Sequence, residues 1–283
     1  MINEAPYLIS SDRKSLQSYR KRNPSEAPLS GAKGDKNSSI SLIVPCYNEE
    51  ANLQKGVLDK VGNYTNNSSR ITEVIVVDDG SDDGSIKIIQ PYLKLFPRFK
   101  LIKNAHQGKA FAISTGIKSA LNDIVIFTDM DLATPIEEVE KLIEQADLNY
   151  DIVIGSRKSK RDGAPFQRKI LSFGAVVVRS LLFKFKGISD TQCGFKLYNK
   201  NLALNIINHS QLLKKDRHTS GPSVTAAFDL EFLFLAFKFG YKVKEVPVHW
   251  QHMESRRVNF FKDMIETLED IIKIKIYDIQ GKY

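Results

Sequence analysis

A regular alternation of short apolar strands with helical segments, between residues 39 and 155, constrains the fold more than any other feature of the chain. Each of the first four strand-like runs is followed by a segment in which apolar residues have helical spacing. Strands and helices in such alternation predict a parallel, doubly wound α/β sheet with helices on both faces. The predicted strands are 39–45, 72–77, 99–103, 124–128 and 151–155, and the predicted helices are 49–62, one that ends at 93, 108–121 and 135–147.

The two ends of the chain differ from this central pattern. Residues 1–38 are polar, rich in Ser, Lys, Arg and Pro, and lack apolar periodicity, so we expect a flexible arm. Beyond residue 157 the sequence predicts an amphipathic helix over 170–183, an apolar helix over 225–239 and a late strand over 242–250. Residues 259–283 are expected to form a C-terminal amphipathic helix.

Cysteine content and hydropathy indicate the compartment. The two cysteines, Cys46 and Cys193, are far apart and lack CxxC spacing, which favours a reducing compartment over a disulfide framework or a zinc site. The longest uncharged run near the middle of the chain, 170–178, has nine residues. A membrane-spanning helix needs about 20 apolar residues. We therefore expect a cytoplasmic protein that is soluble or peripherally associated with a membrane.

The net charge of +8 is concentrated in one segment. Residues 157–186 contain nine Lys and Arg residues against one acidic residue, Asp162. Such a segment favours an anionic partner, which is an anionic membrane surface, a phosphorylated substrate or a nucleic acid, and the alternative is a solvated basic face. Nucleic acid is the remote alternative, because no aromatic stacking residues are interleaved with the charges and no nucleic-acid-binding motif occurs.

Polar clusters follow three of the first four predicted strands. They are PCYNEE at 45–50, DDGS at 78–81 and DMD at 129–131. Ligands of an open parallel sheet bind beyond the carboxyl ends of its strands, so we expect the three clusters to form one site. For the cluster at 78–81 alone, the alternative is that its Asp and Ser residues cap the following helix.

Asp129 and Asp131 carry the clearest chemical signal. Residues two apart on an extended segment point to the same side, so we expect the two carboxylates to lie side by side. They would repel one another unless a cation lay between them. Hard divalent ions prefer oxygen ligands, and Mg²⁺ or Mn²⁺ would neutralise a diphosphate leaving group. The sequence contains neither a Walker GxxxxGK[ST] motif nor GxGxxG, which removes the main support for phosphate-loop NTPase and dinucleotide-binding functions.

Taken in order, the motifs resemble those of family 2 glycosyltransferases of the GT-A fold. The resemblance covers about residues 39–258. It implies that these residues form one glycosyltransferase domain. The later motifs are most similar to dolichyl- or polyprenyl-phosphate sugar transferases, especially the dolichyl-phosphate β-glucosyltransferase branch, with the mannose synthases as relatives. The motifs are VPCYNEE at 44–50, VDDGS at 77–81, GKA at 108–110, TDMDLATP at 128–135, GSR at 155–157, DTQCGFK at 190–196, FDLE at 228–231 and EVPVHW at 245–250.

The resemblance implies a role for each matching residue. The donor is a nucleotide sugar, with UDP-glucose favoured. Asp129 and Asp131 would bind the metal, and Arg157, Arg168 and Ser172 would face the lipid phosphate of the acceptor. Where the mannosyl branch has a glutamine ligand, this chain has Ala133. We also expect this protein to lack the membrane anchors of many relatives. The residues that the resemblance assigns to the nucleotide-sugar donor are Pro45, Tyr47, Glu49, Asp78, Asp79, Lys109, Asp129 and Met130.

The role of Asp229 differs between the two types of acceptor that the sequence allows, a hydroxyl and a phosphate. Together with Glu231, Asp229 is a charged residue in an apolar helical stretch, where charges are costly unless paired or functional. A hydroxyl acceptor would need a carboxylate as general base, whereas a monophosphate is already anionic at neutral pH and would leave Asp229 to hold an Arg or Lys. The residues to which the sequence analysis assigns catalytic roles are Asp131, Asp229 and Arg157.

The basic segment favours the phosphate acceptor. The sequence thus predicts an inverting transfer from UDP-glucose to a polyprenyl or dolichyl phosphate, with Mg²⁺ or Mn²⁺, at the cytoplasmic face of a membrane that the enzyme binds peripherally. The alternative is a soluble family 2 transferase that acts on a hydroxyl.

Overall fold

A computed structural model describes residues 38–157, 183, 185–214, 226–251 and 260–283, with only the backbone described over 260–267. The predicted arm at 1–38, apart from Ser38, and the predicted amphipathic helix at 170–183, apart from Phe183, lie outside these residues, as do Arg168 and Ser172. The division of the chain at residues 38 and 258 stays a prediction.

The described residues form a seven-stranded sheet in the order β3-β2-β1-β4-β6-β5-β7. All neighbouring strands run parallel except β6, which is antiparallel to both β4 and β5. The strands are β1 Ile40–Cys46, β2 Ile71–Asp78, β3 Phe99–Lys103, β4 Ile124–Phe127, β5 Ile152–Ser156, β6 Lys196–Asn199 and β7 Val243–Pro247.

Helices connect the strands and cover both faces of the sheet, which confirms the predicted fold class. A short 3₁₀ helix, Ile136–Glu138, precedes the helix after β4. The α-helices are α1 Glu50–Leu53, α2 Val57–Asn67, α3 Ser85–Leu95, α4 Lys109–Ser119, α5 Val139–Asp147, α6 Lys200–His209, α7 Ala226–Lys238 and α8 Phe260–Ile279.

The sheet separates two hydrophobic cores, and alternation along β1 shows why. Ile43 packs with α4, α6 and α7 on one face, whereas Leu42 and Val44 pack with α2, α3 and α5 on the other. Side chains alternate between the faces of a strand, and all seven residues of β1 are buried, so the strand contributes to both cores. The strand order reverses between β1 and β4, which places the topological switch point at the carboxyl end of β1.

Two parts of the fold differ from the sequence prediction. The helix predicted over 49–62 is broken at Gly56, which has a φ of 74° and separates α1 from α2. Strand β6 was not predicted, because it is only four residues long and begins with the buried Lys196, a residue type that rarely occupies a core position. Among the described residues, no helix is both long enough and apolar enough to cross a membrane.

Candidate active site

Hydrogen bonds join the loop after β1 to the loop after β2. The backbone N–H of Asn48 donates to Ser81 Oγ at 2.9 Å, and the Asn48 side-chain oxygen accepts from the N–H of Asp82 at 2.9 Å. The N–H of Glu49 also donates to Ser85 Oγ at 2.8 Å. Two of the three predicted polar clusters therefore converge at the carboxyl edge of the sheet.

Asp78 shapes the turn that follows β2. Its Oδ2 accepts from the N–H groups of Gly80 and Ser81 at 3.2 and 3.3 Å. The next helix starts only at Ser85, with Gly84 as its N-cap, so the helix-cap alternative for residues 78–81 is wrong. Asp78 Oδ1 is buried and has no hydrogen-bond partner among the described residues. A buried acceptor of this kind suits a ligand hydroxyl or N–H at the site.

Asp79 fixes the loop that leads into α4. Its carboxylate accepts from the N–H of Gln107 at 3.1 Å and of Gly108 at 2.7 Å, and it contacts Nδ1 of His106 at 2.8 Å. The His106 ring stacks on Tyr47, with ring centroids 3.9 Å apart and 11° between the planes. His106 is thus a site residue that sequence reasoning left unassigned. Its position depends on contacts 27 and more residues apart, which no local motif indicates.

Asp129 and Asp131 do not lie on an extended segment, as the sequence analysis assumed. Strand β4 ends at Phe127, and the backbone then turns, with the N–H of Leu132 donating to the Asp129 carbonyl at 3.1 Å and Leu132 at a φ of 48°. Asp131 Oδ1 accepts from the N–H of Ala133 at 2.9 Å. The turn, rather than strand alternation, places the two carboxylates together.

Lys109 faces Asp129 across this edge. It is the first residue of α4, after Gly108 at a φ of 100°, and its Nζ donates to Asp129 Oδ1. Gly194 leaves room for the same carboxylate, because a Cβ at that position would lie 2.1 Å from Asp129 Oδ2. The amino end of a helix and a lysine both favour anionic ligands, so this corner suits a diphosphate.

The two aspartates fit a divalent cation in their chemistry. Burial raises the pKa of Asp131, and the neighbouring charge of Asp129 raises it further. A bound cation would relieve that repulsion, and carboxylate oxygens are ligands that Mg²⁺ and Mn²⁺ accept. No group of three or more His, Cys, Asp and Glu side chains that could hold a metal occurs among the described residues. Oxygen atoms of a donor diphosphate, water or a further residue would complete the coordination.

A buried ion pair lies beneath these residues. Lys196, on β6, donates through Nζ to Asp229 Oδ1 on α7 and to the carbonyl of Cys193 at 2.6 Å. The lysine side chain is fully buried and that of Asp229 is 8% exposed. Burial raises the pKa of Asp229, and the charges of Lys196 and Lys109 oppose that rise. Asp229 therefore holds a lysine, as the phosphate-acceptor interpretation expects, and Lys196 is a second site residue that sequence reasoning did not assign.

Arg157 follows the last residue of β5. Its guanidinium forms a bidentate ion pair with Asp190, with Nε–Oδ2 at 2.7 Å and Nη2–Oδ1 at 2.8 Å. Cζ also lies 5.9 Å from the centroid of the Trp250 ring. Burial opposes the charged form, but the hydrogen bonds and charge of Asp190, with a further contribution from Asp129, raise the pKa of Arg157. Because Arg157 follows the carboxyl end of β5, it lies at the same edge of the sheet as the aspartate pair.

The comparison with known protein families agrees with this geometry. The family model described as glycosyl transferase family 2 matches residues 41–206, which is more than half of the chain. The chain belongs to glycosyl transferase family 2. It is a glycosyltransferase, and Asp78, Asp79, Lys109, Asp129, Asp131 and Arg157 lie within the matched range, whereas Asp229 lies beyond it.

Three curated relatives of this family 2 glycosyltransferase carry the name dolichyl-phosphate β-glucosyltransferase. A protein of that name from Trichomonas vaginalis is 33% identical over 259 residues, which cover 86% of this chain and 75% of the relative. The Dictyostelium discoideum protein is 32% identical, with 87% and 76% covered, and the human protein is 30% identical, with 86% and 77% covered.

Solved structures establish the GT-A fold of the glycosyltransferase. Glucosyl-3-phosphoglycerate synthase from Mycobacterium tuberculosis, solved with Mn²⁺, UDP and glucosyl-3-phosphoglycerate, superimposes with a TM-score of 0.58 at 15% identity and covers 85% of this chain and 81% of that one. A mannosyltransferase from Pyrobaculum calidifontis, solved with GDP-Man and Mn²⁺, gives 0.57 at 19% identity, with 94% and 71% covered.

Three other residues predicted to bind the nucleotide-sugar donor are buried or hydrogen-bonded within the protein. The Met130 side chain is 2% exposed and packs in the core, so any contact with a donor would come from its backbone. The Glu49 carboxylate accepts from the side chain of Asn52 at 2.6 Å, and Pro45 is buried in β1. Their binding roles stay predictions.

Proposed function

We propose that this glycosyltransferase is an inverting enzyme that moves glucose from UDP-glucose to a polyprenyl or dolichyl phosphate. We further propose that it uses Mg²⁺ or Mn²⁺ and acts while bound peripherally to the cytoplasmic face of a membrane. The names of the relatives support the acceptor and the sugar. The metal and uridine nucleotide in the Mycobacterium tuberculosis structure support the donor and the cation.

The observation that carries the choice of acceptor is the pairing of Asp229 with Lys196. A hydroxyl acceptor needs a base with a lone pair available to the incoming proton. Asp229 has one carboxylate oxygen bonded to a lysine and only 8% of its side chain exposed. Because it is already committed as a partner of a buried cation, it is poorly suited to remove that proton. A phosphate acceptor needs no base, since its second pKa is about 6.

The proposed reaction is a single displacement at the anomeric carbon. An oxygen of the acceptor phosphate forms the new bond to that carbon on the face opposite UDP, and the bond to the β-phosphate oxygen breaks, with its electron pair leaving on UDP. A divalent ion, when bound by Asp129 and Asp131, would supply charge neutralisation to the diphosphate. In this proposal Lys109 binds the diphosphate and Arg157 receives the acceptor phosphate, whose charges suit an ammonium and a guanidinium.

Sugar transfer from radiolabelled UDP-glucose to a short polyprenyl phosphate, beside the matching polyprenol, tests the proposal. We expect labelled lipid from the phosphate only, in the presence of Mg²⁺ or Mn²⁺, and none with EDTA. Asp131→Ala should abolish transfer and metal-dependent UDP binding while the fold survives. Asp123→Ala, an exposed aspartate at the start of β4, is the control. Transfer to the alcohol and not to the phosphate would overturn the acceptor, and full activity of Asp131→Ala with EDTA would overturn the metal role.

A further inference from the structure

The carboxylate of Asp190 accepts three hydrogen bonds from Arg157. Besides the two guanidinium contacts, at 2.7 and 2.8 Å, Asp190 Oδ2 accepts from the backbone N–H of Arg157 at 3.0 Å. The side chains are 21% exposed for Arg157 and 13% for Asp190. A bidentate pair of this kind fixes both the position and the plane of the guanidinium. The orientation of Arg157 is therefore set by a residue 33 positions further along the chain.

Asp190 is itself held in place from the edge strand. The carboxylate of Glu245, on β7, accepts from the N–H of Asp190 at 2.9 Å. It also accepts from the Oγ–H of Ser189 at 2.7 Å and from the Ser189 N–H. The N–H of Gln192 donates to Asp190 Oδ1 at 3.3 Å. A continuous set of hydrogen bonds thus runs from β7 through Asp190 to the end of β5.

This contact leaves part of the guanidinium for another anion. Asp190 occupies the edge formed by Nε and Nη2. The N–H groups on Nη1 and on the far side of Nη2 point away from that edge, because a guanidinium is planar and its donors form a fixed fork. Trp250 lies near the guanidinium at 5.9 Å. The aspartate and the indole therefore limit the orientations in which Arg157 can present its remaining donors.

We propose that Asp190 is a positioning residue that fixes the guanidinium of Arg157 for the acceptor phosphate, and that Glu245 in turn fixes Asp190. This inference rests on the proposed phosphate acceptor. The direction in which acceptor binding changes when Asp190 is removed distinguishes positioning from charge neutralisation. If Asp190 mainly neutralised Arg157, its removal would strengthen acceptor binding, whereas a positioning role predicts weaker binding, because a freed arginine loses side-chain conformational freedom when the phosphate binds.

The test compares Asp190→Asn with the wild-type enzyme in steady-state transfer to polyprenyl phosphate. Asparagine keeps the shape of the side chain and removes its charge. We expect the KM for the acceptor to rise about tenfold, the size of one lost charge-assisted contact. The KM for UDP-glucose should change less than about twofold, since Arg157 does not bind the donor in this scheme. Glu245→Gln should shift the acceptor KM in the same direction by a smaller factor.

Asp147→Asn is the matched control. Arg70 and Asp147 form a second bidentate pair, with both distances at 3.2 Å and side chains 16% and 20% exposed, next to the amino end of β2. This variant should leave both KM values unchanged. In the combined variant Asp190→Asn/Arg157→Lys the two effects on the acceptor KM should not multiply, because both changes remove the same oriented guanidinium.

Four outcomes would overturn the inference. An unchanged or lower acceptor KM in Asp190→Asn, with wild-type transfer intact, overturns the positioning role alone. Independent, multiplicative effects in the combined variant do the same. A wild-type enzyme that uses only the polyprenol overturns the proposed acceptor, and the positioning role with it. If Asp190→Asn no longer unfolds cooperatively, Glu245→Gln carries the comparison, and an unchanged acceptor KM there counts against the proposal.

Discussion

At the scale of single residues, the buried charge of Lys196 depends for its stabilisation on the groups around it. Lys196 has no exposed side-chain surface, yet it remains compatible with a stable core because Asp229, the Cys193 carbonyl and the ring of Phe127 surround its ammonium. An ion of this kind costs several kcal/mol to bury, and its partner repays that cost only while both are present. Loss of either partner should therefore affect stability more than loss of the pair.

Lys196→Met is the first test of this dependence. We expect it to lower the free energy of unfolding by about 3 to 5 kcal/mol, because it leaves the carboxylate of Asp229 buried without its cation. The double variant Lys196→Met/Asp229→Asn should recover part of that loss. Lys141→Met, which removes a half-exposed pair with Glu138, should cost less than about 1 kcal/mol. Urea unfolding of the four proteins measures these differences, and equal losses in the single and double variants would contradict the dependence.

At the scale of elements, the end of the chain closes the core behind α7. Tyr283 is 7% exposed, and its OH donates to Glu231 Oε1 at 2.6 Å. The other oxygen of the same carboxylate accepts from Ser210 Oγ, and the N–H of Gln211 donates to Oε1 at 2.8 Å. Glu231 thus joins α7 to the residues that follow α6 and α8. Since α7 also contains Asp229, this anchor supports the active site from behind.

Tyr283→Phe tests the anchor. The change removes one hydroxyl from a buried carboxylate, so we expect the free energy of unfolding to fall by about 1 to 3 kcal/mol. Tyr64→Phe is the control, because Tyr64 makes the same type of bond to Glu140 on the exposed surface. It should cost less than about 1 kcal/mol, since water replaces the lost partner. A loss in Tyr283→Phe no larger than in the control would show that the anchor contributes little.

At the scale of the whole molecule, the basic segment of the sequence begins at the active-site edge of the sheet. Arg157 lies at the carboxyl end of β5 and is also the first residue of the basic segment 157–186. The segment therefore leaves the described structure directly from the active-site edge. Nine basic residues against one acidic residue would attract both an anionic lipid surface and a lipid phosphate.

Sedimentation with vesicles measures this attraction. We expect binding to vesicles that contain phosphatidylserine and much weaker binding to phosphatidylcholine alone, because the basic segment requires anionic headgroups. Binding should also weaken as salt rises, since surface charges are screened within about 10 Å at 0.1 M. Replacing Lys158, Lys160 and Arg161 together with Ser should reduce binding, while Lys55, Lys60 and Lys87 replaced in the same way serve as the control. Equal binding to the two kinds of vesicle would contradict a charge-driven membrane contact.

The sequence by itself determined most of the fold and the edge of the sheet at which the candidate site lies. Strand β3 has the predicted bounds, and β1, β2, β4 and β5 differ by one residue at the ends, because short runs of apolar residues between polar segments mark these strands in the local sequence. The strand ends also predicted that the clusters at 45–50, 78–81 and 129–131 meet at one edge, since parallel strands bring their carboxyl ends together.

Only the tertiary structure decided which of these side chains hold one another. The antiparallel β6 places Lys196 against Asp229, and the loop before it places Asp190 against Arg157, in both cases across 33 residues of sequence. The stacking of Tyr47 on His106 depends in the same way on how the chain returns to the edge of the sheet. Local propensity records whether a residue prefers a strand or a helix. A contact between distant residues is fixed by the packing of whole elements, so its partners cannot be identified from either residue's own neighbourhood.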